Sequence, residues 1–228
     1  MKWVKLKLHF PSFYSYRIPG YSSQYALSLP LPSPSAIKLG LVATAIRTSG
    51  SVREGEKVFD EIRDAEIRIQ PPEKVVVNSF LIKRLKKKKQ PTETQSFEKT
   101  FGVREYVHFS DDISIYIGYK NLDTTITYLK MLRYLGTGDS LLFVKEVECK
   151  NVQLPDNTVR PISKTESVEL IPNEPFILYP IKDLSNKSKF EHINPFAGSR
   201  SKNVFEDKYY LLRAKIKRGK NWALIEFN

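Results

Sequence analysis

Six cations in seven positions, Lys83, Arg84, Lys86, Lys87, Lys88 and Lys89, follow directly on the strand-like stretch Val75 to Ile82. From Ile82 to Arg104, Lys99 and Arg104 bring the basic residues to eight against Glu93 and Glu98. That net +6 is half of the formal +12 of the chain. Charge concentrated in this way is the footprint of a polyanion. Neighbouring like charges repel, so a free run must project into water, where screening is strong. On a phosphate backbone the same run becomes favourable, because each neutralised phosphate releases condensed counterions and gives a salt-dependent, sequence-independent affinity. The plain alternative is a solvated loop with no ligand.

Other residues could serve the same ligand. The segment Phe13 to Tyr25 contains Tyr14, Tyr16 and Arg17, which could stack on unpaired bases at roughly 1 to 3 kcal/mol per base. It could equally fold back on the core or dock on a protein. Ser33-Pro34-Ser35 opens a helix whose free N–H groups and positive dipole end suit a phosphate, as at any capped helix, and Lys38 lies one turn on. Arg133 precedes Gly136-Thr137-Gly138, which lacks the G-x-x-x-x-G-K-[ST] phosphate loop. These glycines either cap and bend the chain or let an RNA backbone approach closely.

Catalytic spacing is absent: there is no H-E-x-x-H, no G-x-S-x-G and no metal-ligand pattern. His9 and His108 sit in strand patterns, and Asp111-Asp112 reads as a hairpin turn. A metal-independent RNA cleavage needs only a base, an acid and a cation, so His108 beside Tyr106 and Arg104 is the one candidate. No residue is assigned to catalysis or to a metal, and no cofactor is expected.

The elements that position these groups follow from periodicity. Trp3 to Phe10 alternates apolar and Lys residues as a half-buried strand rather than a signal peptide. Ser35 to Thr48 is a helix apolar nearly all round, hence buried, ending at Gly50, and a second short helix spans Val52 to Asp64. Lys74 to Leu85 is a strand, the basic residues form a hairpin tip, and Arg104 to Phe109 returns. Ile113 to Tyr119 continues the same ribbon. Asp123 caps a further helix with Tyr128, Met131, Leu132 and Leu135 on one face, stopped by Gly136, and Leu141 to Lys150 is a strand. This order predicts an α+β, ferredoxin-like (RRM-type) domain over residues 1–150, with a basic β-ribbon at about 74–118. Residues 151–228 are expected to be β-rich, with strands at Val168 to Leu170, Phe176 to Leu178, Lys208 to Lys217 and Asn221 to Phe227.

The 228 residues, 41% of them apolar, suffice for a packed core. A single cysteine, Cys149, excludes an internal disulfide framework and fits a reducing cytoplasm. No apolar run is long enough to span a membrane, and no basic amphipathic helix suggests a membrane partner.

Pro30-Leu31-Pro32-Ser33-Pro34-Ser35-Ala36-Ile37-Lys38-Leu39-Gly40-Leu41-Val42-Ala43-Thr44-Ala45 resembles the first helix of Cas protein family five, the RAMP-type subunit of type I CRISPR Cascade complexes. The type I-A, archaeal branch is the nearest match. The resemblance takes in Trp3 to Phe10, the basic ribbon after Val75 and Tyr134-Leu135-Gly136-Thr137-Gly138, about the first 150 residues. It implies a ribbon thumb on a RAMP domain that binds the 5′ handle of crRNA at one end of a backbone filament. Contact with the large subunit, and with target DNA through the complex, is implied too. Most branches do not cut RNA; one uses a Tyr/Lys/His site whose order cannot be matched here. The expected function is therefore a non-catalytic RNA-binding subunit, with a metal-independent endoribonuclease or a basic scaffold of another ribonucleoprotein as alternatives.

Overall fold

The computed structural model describes residues 2–22, 24–92, 95–168, 174–194 and 204–227. Its elements in chain order are β1 (Lys2–His9), β2 (Tyr25–Ala26), α1 (Pro34–Ser49), α2 (Val52–Ile62), β3 (Glu66–Gln70), β4 (Lys74–Thr92), β5 (Gln95–Phe109), β6 (Ile113–Tyr119), α3 (Thr125–Tyr128), β7 (Phe143–Glu148), β8 (Pro161–Ser163), β9 (Phe176–Leu184), α4 (Phe190–Ile193), β10 (Phe205–Arg218) and β11 (Trp222–Phe227). The protein is mixed α+β, and the strands of the described residues form two sheets.

Alternation in β1 buries Val4, Leu6 and Leu8 and leaves Lys5 and Lys7 half-exposed. The first sheet is antiparallel in the order β3–β6–β1–β7. Its apolar face joins one core with Leu41 and Val42 of α1 and with Val58, Phe59 and Ile62 of α2. The opposite face is polar, with Lys5 paired to Glu148 at 2.7 Å and Arg68 over the Trp3 ring. Helix α1 starts where Ser33 Oγ accepts from Ala36 N, has Pro34 in its first turn, and stops at Gly50 in the left-handed region.

The second sheet runs β2–β5–β4–β11–β10–β8, with β9 also on β10. Strand β11 lies beside β4, with Trp222 opposite Asn78, so this sheet draws on both sides of residue 150. Strands β4 and β5 outrun their neighbours. β11 pairing ends at Asn78 and β2 pairing at Val103 and Arg104, and beyond these the two strands continue as a ribbon with no third strand among the described residues.

Three expectations need correction. The basic run is not a hairpin tip: it lies within β4, and the ladder to β5 continues through Lys87 opposite Phe97. Ile113 to Tyr119 does not prolong the ribbon either, because β6 sits between β3 and β1, where its isoleucines are fully buried. The helix expected after Asp123 is the single turn α3 followed by a 3-10 turn, Leu129–Met131, and Leu132 is already extended. Its N–H groups are satisfied from outside, since the Glu61 carboxylate accepts from Thr124 N at 2.8 Å and Thr125 N at 2.7 Å. Of the strand expected at Val168 to Leu170, Val168 is not extended in a sheet, and residues 169–170 lie outside the described residues.

Candidate nucleic-acid interface

Cross-strand partners share a face, so the register sorts the ribbon side chains. Val75 with Phe109 and Val77 with Val107 point into the core. The same face then carries Leu81 with Val103, Lys83 with Phe101, Leu85 with Lys99, and Lys87 with Phe97. The core stripe thus runs out into solvent: Leu81 is 71% exposed, Leu85 70%, Phe97 58% and Phe101 52%. Lysines alternate with these side chains, and Lys83 Nζ lies 6.0 Å from the Phe101 ring centre. The opposite face carries Phe80 with Arg104, Arg84 with Thr100, and Lys86 with Glu98. Lys88 and the exposed Lys89 follow on β4.

An isolated two-stranded ribbon is marginal in water, and contiguous exposed apolar side chains mark an interaction surface. Cations to neutralise phosphates, interleaved with rings on which bases stack, are what a single-stranded nucleic acid requires. Sequence reasoning found the cations but missed the apolar side chains between them, Leu81, Leu85, Phe97 and Phe101. Their signal was readable in Phe97-x-Lys99-x-Phe101, alternating at the strand period.

The turn Arg133 to Ser140 lies beside the second face. The Asp139 carboxylate is held below its usual range, first by a hydrogen bond from Thr137, with burial opposing and the charges of Arg104 and Arg84 assisting. Arg133 and Gly138 are exposed and Thr137 is half-buried. Gly136 has φ +81°, and a Cβ there would come 2.7 Å from Ser15 O. Thr137 N donates to Ser15 O at 3.1 Å, so this glycine serves the packing of turn on loop.

The structure removes four expected contacts. Tyr14 is no stacking platform: it is fully buried because Tyr14 N donates to Val107 O at 2.8 Å and adds a bridge to β5. Its ring packs against Phe10 and Phe109. Ser33 and Ser35 are also fully buried and hydrogen-bond each other at 3.0 Å, so the start of α1 faces the core rather than a phosphate. Lys38 is 2% exposed and donates to Asp183 Oδ1 at 2.8 Å and to Arg63 O at 2.9 Å, which ties α1 to β9. Tyr16 packs half-buried on the core, while Arg17 is exposed opposite Ser28.

The histidines stay apart. His9 Nδ1 is 2.8 Å from Asp112 Oδ1, in a cluster that includes Lys145 at 2.9 Å. Burial raises the Asp112 carboxyl, but hydrogen bonds from Lys145 and His9 outweigh it and hold the group below its usual range. His108 is exposed, with its ring 6.3 Å from Phe13. Among the described residues no three His, Cys, Asp or Glu side chains gather as a metal site.

No protein-family model matches the chain. A solved CRISPR protein from Archaeoglobus fulgidus aligns over 100% of this chain and 92% of its own, at TM-score 0.52 and 14% identity. A chain of a CRISPR RNA-guided surveillance complex aligns over 92% of this chain and 89% of its own, at 0.49 and 15% identity. The fold is thus one that a solved CRISPR protein shares. The CRISPR-associated protein Cas5 of Archaeoglobus fulgidus is 62% identical over 226 residues, 99% of each chain, and this chain belongs to the Cas5 family.

Proposed function

We propose that the protein is a non-catalytic subunit of a type I CRISPR interference complex, of the type I-A branch, that binds the 5′ handle of crRNA and caps the backbone filament. The observation that carries this reading is the ribbon face on which Lys83, Lys87 and Lys99 alternate with exposed Leu85, Phe97 and Phe101. Such a face offers phosphate contacts and apolar surface to one extended strand, and its unsatisfied apolar part suits a neighbouring backbone subunit. The order β7–β1–β6–β3 supports a ferredoxin-like body over residues 1–150, with 151–228 as its β-rich extension. The large subunit, and target DNA through it, are the remaining proposed partners, in the cytoplasm.

His108, the residue on which a metal-independent ribonuclease reading would rest, is exposed with its ring 6.3 Å from Phe13. Incubating the protein with CRISPR repeat RNA in EDTA tests the reading: intact RNA retained on the protein is expected. Discrete cleavage that disappears in His108→Ala would replace the binder by an endoribonuclease, because general acid–base help contributes roughly 10²- to 10⁴-fold.

A further inference from the structure

A cleft of about 290 Å³ opens where the ribbon meets the β10–β11 turn. On the ribbon's core-side face, the pair Ser79 and Glu105 follows Val77 and Val107 and precedes Leu81 and Val103, so the cleft terminates the exposed stripe. From this pair to Lys83 and Phe101 is four residues, about 13 Å along the strand. A nucleic acid strand on the stripe therefore leads into the cleft.

We infer that this cleft is a pocket for one unstacked guanine of the bound RNA. The inference rests on the RNA-binding reading and adds base recognition to it. Glu105 stands inside with one hydrogen bond on each carboxylate oxygen: Ser79 Oγ donates to Oε1 at 3.1 Å and Ser28 N to Oε2 at 2.9 Å. Those bonds fix the carboxylate and leave one acceptor site on each oxygen. Two parallel acceptors match two adjacent donors, which only guanine presents on its Watson–Crick edge, as N1–H and the N2 amino group. Adenine, cytosine and uracil offer one donor beside an acceptor that the carboxylate repels.

The rest of the cleft fits a base. Tyr21 is exposed at its rim and Tyr179 is half-buried within it, two rings for stacking. Tyr179 remains a neutral phenol, because burial raises its pKa; Arg218 opposes this, and Glu105 and Tyr21 add to it. Exposed Arg218 and Lys220 line the mouth, where the flanking phosphates would lie.

The test uses the full chain and a fluorescent oligouridine RNA, compared with the same RNA carrying one central guanosine, inosine or adenosine. One bidentate contact predicts roughly 5- to 150-fold tighter binding of the guanosine RNA than of oligouridine. Inosine, which lacks the amino group, falls between, and adenosine gains nothing. Glu105→Gln abolishes the preference, since its amide presents a donor to a donor. Because Glu105 also holds Ser28 and Ser79, Tyr21→Ala, a change at an exposed ring, serves as the second variant and lowers guanosine binding towards the oligouridine value. Equal, salt-sensitive binding of all four RNAs overturns the pocket and leaves phosphate binding standing. A guanosine preference that survives both variants also overturns it. No binding of any RNA at low salt overturns the RNA-binding reading together with the pocket.

Discussion

Lys38 separates a structural from an RNA-binding role, because the sequence placed it at the ligand and the structure places it in the core. Lys38→Ala removes three buried methylenes worth about 0.8 kcal/mol each. It also leaves the Arg63 carbonyl without the Lys38 donor, at about 1 to 3 kcal/mol. Asp183 is not orphaned, since Lys208 Nζ at 3.1 Å and Leu184 N at 2.8 Å still reach it. The expected loss is therefore about 3 to 5 kcal/mol, a large part of the 5 to 15 kcal/mol typical of a folded protein. Lys38→Met keeps the apolar stem and should cost only the polar part, about 1 to 3 kcal/mol. Urea unfolding of both variants, beside the salt dependence of RNA binding by Lys38→Met, makes the comparison. The reasoning is refuted if Lys38→Met unfolds at the wild-type midpoint while the slope of its log K against log salt falls by about 0.7, the signature of one phosphate no longer neutralised.

The two glycines of the turn should part company: Gly136→Ala lowers the thermal midpoint, because its φ is positive and its Cβ meets Ser15 O, whereas Gly138→Val folds normally, since nothing lies within 4 Å of its Cβ. Weaker RNA binding by well-folded Gly138→Val would then report a backbone approach at that turn. Asp112 has a lowered folded-state pKa, so its contribution is present above the unfolded value of about 3.9 and fades as pH falls through the folded one. Unfolding measured against pH should show a shallower acid limb in Asp112→Asn than in wild type.

What the sequence made legible was local. The alternation of β1, the capping serine and terminal glycine of α1, and the strands around the basic run all stand about where periodicity puts them. What it hid depended on partners distant in the chain. Reading α1 as apolar all round already implied that Lys38 is buried, but its acid lies 145 residues away in β9. The helix after Asp123 ends after one turn, with Leu132 already extended, and the carboxylate that receives its first N–H groups comes from Glu61 of α2, a partner that periodicity does not register. Tyr14 looked like a loop aromatic because its bridge to Val107 joins segments far apart in sequence. Lysine charge, in turn, does not reveal whether its backbone is paired, so the two paired strands of the ribbon were foreseen too short and its apolar face not at all.

The most direct test of the ribbon's role is the salt dependence of single-stranded RNA binding by the protein with Lys86, Lys87, Lys88 and Lys89 all changed to Ala. If these residues contact phosphates, the slope of log K against log salt becomes shallower by about 0.7 for each phosphate no longer neutralised, alike for RNAs of different sequence. A slope identical to that of the wild-type protein would contradict the ribbon as the RNA-binding surface.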